Sequence, residues 1–238
     1  MELFGKRPWI QSAIDQLTLE AAIPCAEMAV ACGVDWLEVG TPLILGEGFR
    51  AIRELKKIAG DKAALLTDFK ARTNIYDVLV EAKANGCDIA TISCAGGNDA
   101  AVAEGLRARV KCGIKLVADL CGADVEEIPI RARELSRLGL DAVILHYGDD
   151  QWCFDYTRKG TDGVLEAKKV AAGMPIGCCC GFDIPGKGCG NYAYQNVFEA
   201  LKQGADWICV GGALTGNHDT NAYEDFRQLC DVVHSVHD

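Results

Sequence analysis

Three acidic residues and one lysine each stand at the end of a short apolar run, where they could take part in chemistry. Asp15 ends WIQSAID, Glu38 lies in WLEVG, and Asp68 and Lys70 belong to ALLTDFK. A charged side chain beside a buried strand is costly unless it is paired, binds a metal or contacts a ligand. The carboxyl ends of parallel strands converge on one face, so these residues predict one shared polar pocket and an enzyme.

The two carboxylates Glu38 and Asp68 suggest a metal site. Carboxylates at neighbouring strand ends repel each other unless a cation lies between them, and Mg²⁺ prefers oxygen ligands. The alternative is that each carboxylate pairs with a nearby Lys or Arg. Lys70 is two residues beyond Asp68, so both side chains point to the same side of the strand, and Asp15 could reach Lys70. Such a network keeps the ammonium protonated and able to stabilise carbanionic charge.

Two further residues extend this ring. Asp119 lies in VADL, and His146 ends the apolar run AVILH. An imidazole titrates near neutrality and is a natural proton-transfer group, so we predict a catalytic role for His146, although a lone histidine is more often structural. No catalytic role is expected for His218, His234 or His237, which lie in helical or terminal sequence.

Glycines near the end of the chain suggest an anion site. Gly181 follows CCC, and Gly211 and Gly212 follow WICV. Glycines let the backbone approach a ligand closely, and backbone N–H groups at a helix N-terminus can hold a phosphate. In barrels, such sites form after strands seven and eight. A tight turn is the alternative explanation.

The elements that must position these residues recur along the whole chain. Apolar runs alternate with amphipathic stretches of helical spacing, for example 19–31, 49–58 and 128–138. Phrases of the GXD type, such as GVDW and GCDI, come just before several of the runs. This pattern predicts an α/β fold, a single (β/α)8 TIM barrel over residues 1–238, rather than an open doubly wound sheet. The predicted strands are 9–15, 36–40, 64–70, 89–94, 115–120, 142–148, 175–181 and 207–212.

Composition limits the class of partner and the compartment. The 238 residues are 50% hydrophobic with a net charge of −10, which argues against nucleic acid as a partner. No run resembles a signal peptide or reaches membrane-spanning length, which favours a cytoplasmic protein. Thirteen cysteines then predict reduced structural thiols, including Cys87, Cys94, Cys112, Cys178, Cys179, Cys180 and Cys209. Zinc, iron–sulfur and redox roles are the alternatives.

Several motifs together are similar to those of one enzyme family. Asp15, EVGTPLILGEG (38–48), DFK (68–70), ADL (118–120), HYGDDQ (146–151) and VGGALTG (210–216) resemble the orotidine-monophosphate-decarboxylase suprafamily. Within it, the chain resembles 3-hexulose-6-phosphate synthase and 3-keto-L-gulonate-6-phosphate decarboxylase. The HYGDDQ and VGGALTG segments favour the synthase branch, because the decarboxylases usually carry arginine in both regions.

The resemblance implies a lyase that acts on a phosphorylated keto sugar through an enediolate. It implies a homodimer with active sites at the interface, and Mg²⁺ held by Glu38 and Asp68. Lys70 would stabilise the enediolate oxygen, His146 would transfer a proton, and Asp119 would orient the substrate. Aldol chemistry with formaldehyde is favoured over decarboxylation.

The chain departs from the family pattern at one position. The family signature is D-x-K-x-x-D, and Thr73 stands where the second aspartate belongs. The loop at 183–191 also differs, and its Lys187 is a candidate phosphate contact. A sugar-phosphate epimerase or isomerase and a non-catalytic phosphosugar-binding barrel therefore remain alternatives.

Overall fold

Eight parallel strands form a closed barrel in which each strand pairs with its neighbours in chain order. The computed structural model describes residues 8–148, 150–151, 159–179, 193–211 and 222–237. The predicted (β/α)8 barrel is confirmed, and each strand lies within or close to its predicted run. The strands are β1 Trp9–Ile14, β2 Trp36–Val39, β3 Ala64–Ala71, β4 Ile89–Ser93, β5 Lys115–Asp119, β6 Ala142–His146, β7 Ile176–Cys179 and β8 Trp207–Val210.

Helices alternate with these strands and cover the outside of the barrel. The first helix begins after Thr18, whose hydroxyl caps it by accepting from the Ala21 N–H at 3.4 Å. The predicted helix 19–31 has the same bounds in the structure, and the predicted helices 49–58 and 128–138 are each one residue longer in the structure. The described helices are α1 Leu19–Ala31, α2 Thr41–Glu47, α3 Phe49–Ala59, α4 Ile75–Ala84, α5 Asp99–Cys112, α6 Glu127–Leu138, α7 Val164–Val170, α8 Ala193–Lys202 and α9 Ala222–His234. None of these described helices is long and apolar enough to cross a membrane.

The interior of the barrel has an aromatic layer at its amino-terminal end. The rings of Trp9 and Trp36 stack with centroids 5.6 Å apart, and Trp207 packs on Trp36 at 5.1 Å. Gly177 leaves room for the Trp207 indole, which a Cβ would overlap. Side chains alternate in and out along each strand, so the next inward positions toward the carboxyl ends carry the polar residues of the predicted site.

Four aspartates tie the strands together at the amino-terminal end of the barrel. Each comes from a GXD phrase just before an even-numbered strand, and its Oδ2 accepts from a backbone N–H of the preceding odd-numbered strand. The donor–acceptor pairs are Ile10–Asp35 at 3.0 Å, Leu65–Asp88 at 3.0 Å, Leu116–Asp141 at 3.0 Å and Ile176–Asp206 at 2.7 Å. His234 also contacts Asp35 at 2.7 Å, which places this histidine far from the predicted site.

The cysteines of the described residues form no disulfide, as predicted for structural thiols. Five of the seven that were singled out are buried, Cys112 is partly exposed, and Cys180 lies outside the described residues. Burial raises the pKa of Cys87 and of Cys94 to about 12, so both remain thiols at neutral pH.

Candidate active site

Lys70 and Asp68 form the centre of the polar cluster at the carboxyl end of the barrel. The ammonium of Lys70 contacts Asp68 Oδ2 directly and lies 3.7 Å from Asp119 Oδ2. Burial alone would lower the pKa of Lys70, but the charges of Asp68 and Asp119 outweigh it and raise that pKa. Lys70 is therefore protonated across the working pH range of an ordinary enzyme.

Two threonine hydroxyls hold this pair in place. Thr91 Oγ1 donates to Asp68 Oδ1 at 2.7 Å and accepts from the Lys70 backbone N–H at 2.9 Å. Thr41 Oγ1 lies 2.8 Å from Asp68 Oδ2 and accepts from Lys70 Nζ at 3.1 Å. Both oxygens of the Asp68 carboxylate thus have partners, which restricts the carboxylate to one orientation.

The backbone around Lys70 departs from regular strand geometry. The register between β3 and β4 shifts between Thr67 and Ala71, and Lys70 has a positive φ of 44°. A non-glycine residue in this conformation costs of order 1–3 kcal/mol and is common at functional sites. At this irregularity the Lys70 N–H donates to the Thr91 side-chain hydroxyl on β4, while the Lys70 side chain reaches Asp68.

Asp119 and His146 form a second pair at the ends of β5 and β6. Asp119 Oδ2 lies 2.9 Å from His146 Nδ1, and Asp119 Oδ1 accepts from the Cys121 N–H at 2.6 Å. Burial tends to raise the pKa of Asp119, but the charges of His146 and Lys70 and these hydrogen bonds lower it overall. An ionised Asp119 favours the imidazole with its proton on Nδ1, so Nε2 is the nitrogen that can accept a proton.

Glu38 lies deeper in the barrel, where burial and neighbouring carboxylates disfavour its ionised form. Its Oε2 accepts from Gln11 Nε2 at 2.5 Å, and Gln11 Oε1 in turn accepts from Trp207 Nε1 at 3.1 Å. Burial, then the negative charges of Asp68 and Asp15, raise the pKa of Glu38 to about 8. A nearby dication would relieve this repulsion, so the all-oxygen donor set of Glu38 and Asp68 fits a hard divalent cation.

Asp15 and Gly211 lie together at the mouth of the barrel. A Cβ at Gly40 would overlap the Asp15 carboxylate, and a Cβ at Gly211 would be 3.1 Å from Asp15 Oδ2. Both glycines thus leave room for this carboxylate. Gly181, Gly212 and Lys187 lie outside the described residues, so the predicted phosphate contacts there have no structural description.

A profile of the Orotidine 5'-phosphate decarboxylase / HUMPS family matches residues 8–226 of the chain. The chain belongs to this family. A 3-hexulose-6-phosphate synthase from Staphylococcus epidermidis is 32% identical over 213 residues, covering 88% of this chain and 92% of the relative. One from Mycobacterium gastri is 30% identical over 215 residues, covering 90% and 94%. The crystal structure of 3-hexulose-6-phosphate synthase from Salmonella typhimurium has a TM-score of 0.80 and 26% identity, covering 95% of this chain and all of that one (100%).

The family motifs predicted most of the cluster but not its supporting residues. Thr41, Thr91 and Gln11 went unrecognised because hydroxyl and amide residues are frequent in strands and helix starts. The one available signal for Thr41 was its place in EVGT, and Gln11 and Thr91 were detectable only as polar residues inside apolar runs. Thr73, the departure from the family signature, is exposed and lines a polar cavity of about 340 Å³ beside Arg72 and Asn98.

Proposed function

We propose that this chain is a Mg²⁺-dependent carbon–carbon lyase that joins formaldehyde to a ketopentose phosphate, or cleaves the product. The observation that carries the proposal is the continuous chain of ion pairs and hydrogen bonds from Asp68 through Lys70 and Asp119 to His146. This arrangement offers a fixed positive charge next to a proton-transfer group, as an enediolate reaction needs. The names of the relatives favour 3-hexulose 6-phosphate as the sugar product.

Lys70 is proposed to stabilise the developing oxyanion of the enediolate. Its partners keep it charged, and Thr41 and Thr91 hold it in position, so little reorganisation is needed as negative charge forms. A permanently charged ammonium is an electrostatic stabiliser and not a base.

His146 is proposed to remove or return the proton on the substrate carbon. Asp119 holds the imidazole through Nδ1 and stabilises the imidazolium that forms when Nε2 takes up a proton. Asp119 thus orients the proton-transfer group, and its distance of 3.7 Å from Lys70 links the two catalytic groups electrostatically.

Glu38 and Asp68 are proposed to hold the Mg²⁺. When bound, the ion would supply a fixed double positive charge in the barrel mouth. Gln11 fixes the Glu38 carboxylate and Thr91 fixes that of Asp68, so both donors are oriented before any ion binds. Asp15 and Gly211 are proposed to line the substrate pocket, together with Gly181, Gly212 and Lys187.

A homodimer with active sites at the interface is part of the proposal. Two large apolar side chains near the barrel mouth, Leu17 and Leu45, are 68% and 80% exposed. A Cβ at Gly46 would overlap the Leu17 carbonyl oxygen, so the segments that carry the two leucines are adjacent. Apolar surface of this kind beside a pocket is a common feature of subunit interfaces.

Replacing Lys70 with alanine tests the proposal. We expect kcat for formaldehyde-dependent consumption of ribulose 5-phosphate to fall by at least about a thousandfold, because the charge opposite the oxyanion is lost. Lys62→Ala, which removes an exposed lysine, is the matched control and should keep full activity. Circular dichroism and thermal unfolding of both variants check folding, and near-normal activity in a folded Lys70→Ala would reject the assignment.

The products distinguish the proposal from its alternatives. Formation of a hexulose phosphate that requires formaldehyde supports the aldol reaction, and release of CO₂ from a keto-gulonate phosphate would indicate a decarboxylase. Proton exchange in deuterated water with neither product would indicate an isomerase. Thermal stabilisation by sugar phosphates without any reaction would indicate a binding protein.

A further inference from the structure

A second group of potential metal ligands lies next to the proposed magnesium pair. Asp119, Cys121 and His146 each offer one ligand atom, and these atoms all lie within 4.8 Å of one another. Asp119 is buried, whereas Cys121 and His146 are partly exposed, so an ion can reach the group from solvent. Neither the thiol nor the imidazole belongs to the Glu38–Asp68 pair.

The local fold brings the three side chains together. Cys121 is two residues beyond Asp119, and its N–H donates to Asp119 Oδ1 at 2.6 Å. His146 comes from the neighbouring strand β6 and contacts Asp119 through Nδ1. A histidine that binds zinc through one imidazole nitrogen commonly donates the N–H of the other nitrogen to a carboxylate.

Gly148 leaves a space bordered by sulfur, nitrogen and oxygen atoms. A Cβ built at Gly148 would lie 3.5 Å from Cys121 Sγ, 3.6 Å from Gln151 Oε1 and 3.9 Å from His146 Nε2. Cys121 Sγ and Gln151 Oε1 are themselves 3.7 Å apart. Three donor atoms of different chemistry thus face the position that a larger side chain would fill.

We propose that Cys121 Sγ and His146 Nε2, with Asp119 orienting the imidazole, bind a zinc-class divalent cation at this position. Thiolate and imidazole prefer Zn²⁺ to Mg²⁺, which selects oxygen ligands. The ligand atoms of a tetrahedral zinc site lie roughly 3.5 Å apart, and one ligand atom from each of Asp119, Cys121 and His146 already lies within 4.8 Å of the others. The thiol proton is released to solvent when the ion binds.

Zinc bound at this site would inhibit the reaction, an expectation that rests on the proposed function of His146. The ion would occupy the imidazole nitrogen that exchanges the substrate proton, so zinc would inhibit turnover even when Mg²⁺ is saturating. Inhibition would be reversed by a nitrogen-donor chelator that prefers zinc to magnesium.

Cobalt substitution tests the site without any measure of activity. Co²⁺ added to the full-length protein in excess Mg²⁺ should produce a near-ultraviolet thiolate-to-cobalt band, which Zn²⁺ then removes by displacement. We expect Cys121→Ser to lose the band, because it removes the sulfur ligand. Gly148→Ala should lose it too or weaken Co²⁺ binding at least about tenfold, because its methyl group fills the space while every ligand stays in place. Gly148 has no positive φ, so its backbone accepts alanine.

Two controls keep the result interpretable in a protein with many thiols. Cys112→Ser removes a partly exposed cysteine on α5, whose Sγ contacts the Ala108 carbonyl at 3.1 Å, and should keep the band. Lys70→Ala should also keep it, so a failed lyase assignment would be seen separately from a failed metal site. Absence of the band in the natural sequence, or an unchanged band in Cys121→Ser, would overturn the proposal.

Discussion

The surroundings of Lys70 determine which role this residue can have in the proposed reaction. A lysine that forms an imine with a keto sugar must be neutral, which requires a lowered pKa. Here Asp68 and Asp119 have the opposite effect and raise it. The residue is thus suited to stabilise an oxyanion and unsuited to covalent catalysis.

Borohydride trapping tests whether Lys70 forms an imine with the substrate. We expect incubation with ribulose 5-phosphate and sodium borohydride to leave the intact mass of the protein unchanged and its activity preserved. An imine-forming aldolase treated in the same way provides the positive control. A mass increase corresponding to a reduced sugar adduct on Lys70 would contradict the electrostatic assignment.

Glu38 is expected to make the stability of the metal-free protein depend on pH. The folded protein holds the Glu38 proton up to pH about 8, whereas the ordinary value is 4.5. Between these limits the folded state binds more protons than the unfolded state. Glu38 therefore lowers the free energy of unfolding as pH rises, by up to about 1.4 kcal/mol per pH unit.

Glu38→Gln removes this titration and keeps a side chain of the same shape. Urea unfolding in EDTA from pH 5.5 to 8.5 should show a flatter pH dependence for the variant than for the natural protein. At pH 8, added Mg²⁺ should raise the Tm of the natural protein and leave that of Glu38→Gln nearly unchanged. Parallel pH profiles for the two proteins would show that Glu38 titrates normally.

At the scale of elements, the four aspartates at the amino-terminal end stabilise pairs of strands. Asp88 accepts from the Leu65 N–H and forms an ion pair with Lys56 at 2.7 Å. Burial tends to raise the Asp88 pKa, but the Leu65 N–H and Lys56 outweigh it and lower that pKa. The stabilisation by Asp88 is thus present above its ordinary pKa of 3.8 and is lost as pH falls below it.

Asp88→Ala should lower the free energy of unfolding by about 1–3 kcal/mol at pH 7, because a strand N–H loses its acceptor. Asp88→Asn keeps an acceptor oxygen and should cost less than the alanine variant. Both should retain normal kcat, since Asp88 lies at the opposite end of the barrel from Lys70. Denaturant unfolding and steady-state kinetics measure the two effects, and equal destabilisation by both variants would assign the effect to charge alone.

The eight strands and the three helices named from their spacing were predictable because each had a local signal. Apolar runs marked the strands, and helical spacing marked α1 within the exact bounds Leu19–Ala31. The GXD phrases marked the starts of several strands. The hydrogen bonds from backbone N–H groups to Asp88 and the three equivalent aspartates had no local signal, because each donor lies on a neighbouring strand. The positive φ at Lys70 and its threonine contacts arise where the register between β3 and β4 shifts. Residue spacing along a single strand carries no information about that register.

In the molecule as a whole, residues that stabilise the barrel and residues of the candidate active site lie at opposite ends. The amino-terminal end holds the tryptophan layer and the four aspartates, and the carboxyl end holds the charged cluster with its buried carboxylates. Substitutions at the amino-terminal end are therefore expected to change mainly stability, and those at the carboxyl end mainly activity. The exposed leucines beside the cluster connect this end to the proposed subunit interface.

The oligomeric state provides the test at this scale. We expect light scattering after size exclusion to give twice the chain mass of 25.5 kDa for the natural protein. Leu45→Lys places a charge in the proposed interface and should weaken association at least about tenfold, because an unpaired charge is costly to bury. Since Leu45 is 80% exposed in the single chain, the variant should keep its fold.

Val110→Lys is the matched control for that experiment, because Val110 is 87% exposed on α5, an element without a proposed role at the interface. It should remain a dimer with full activity, whereas Leu45→Lys should lose activity as it dissociates, and regain part of it at high protein concentration. A natural protein that is monomeric at all working concentrations would refute the homodimer. A dimeric Leu45→Lys with full activity would place the interface elsewhere on the barrel.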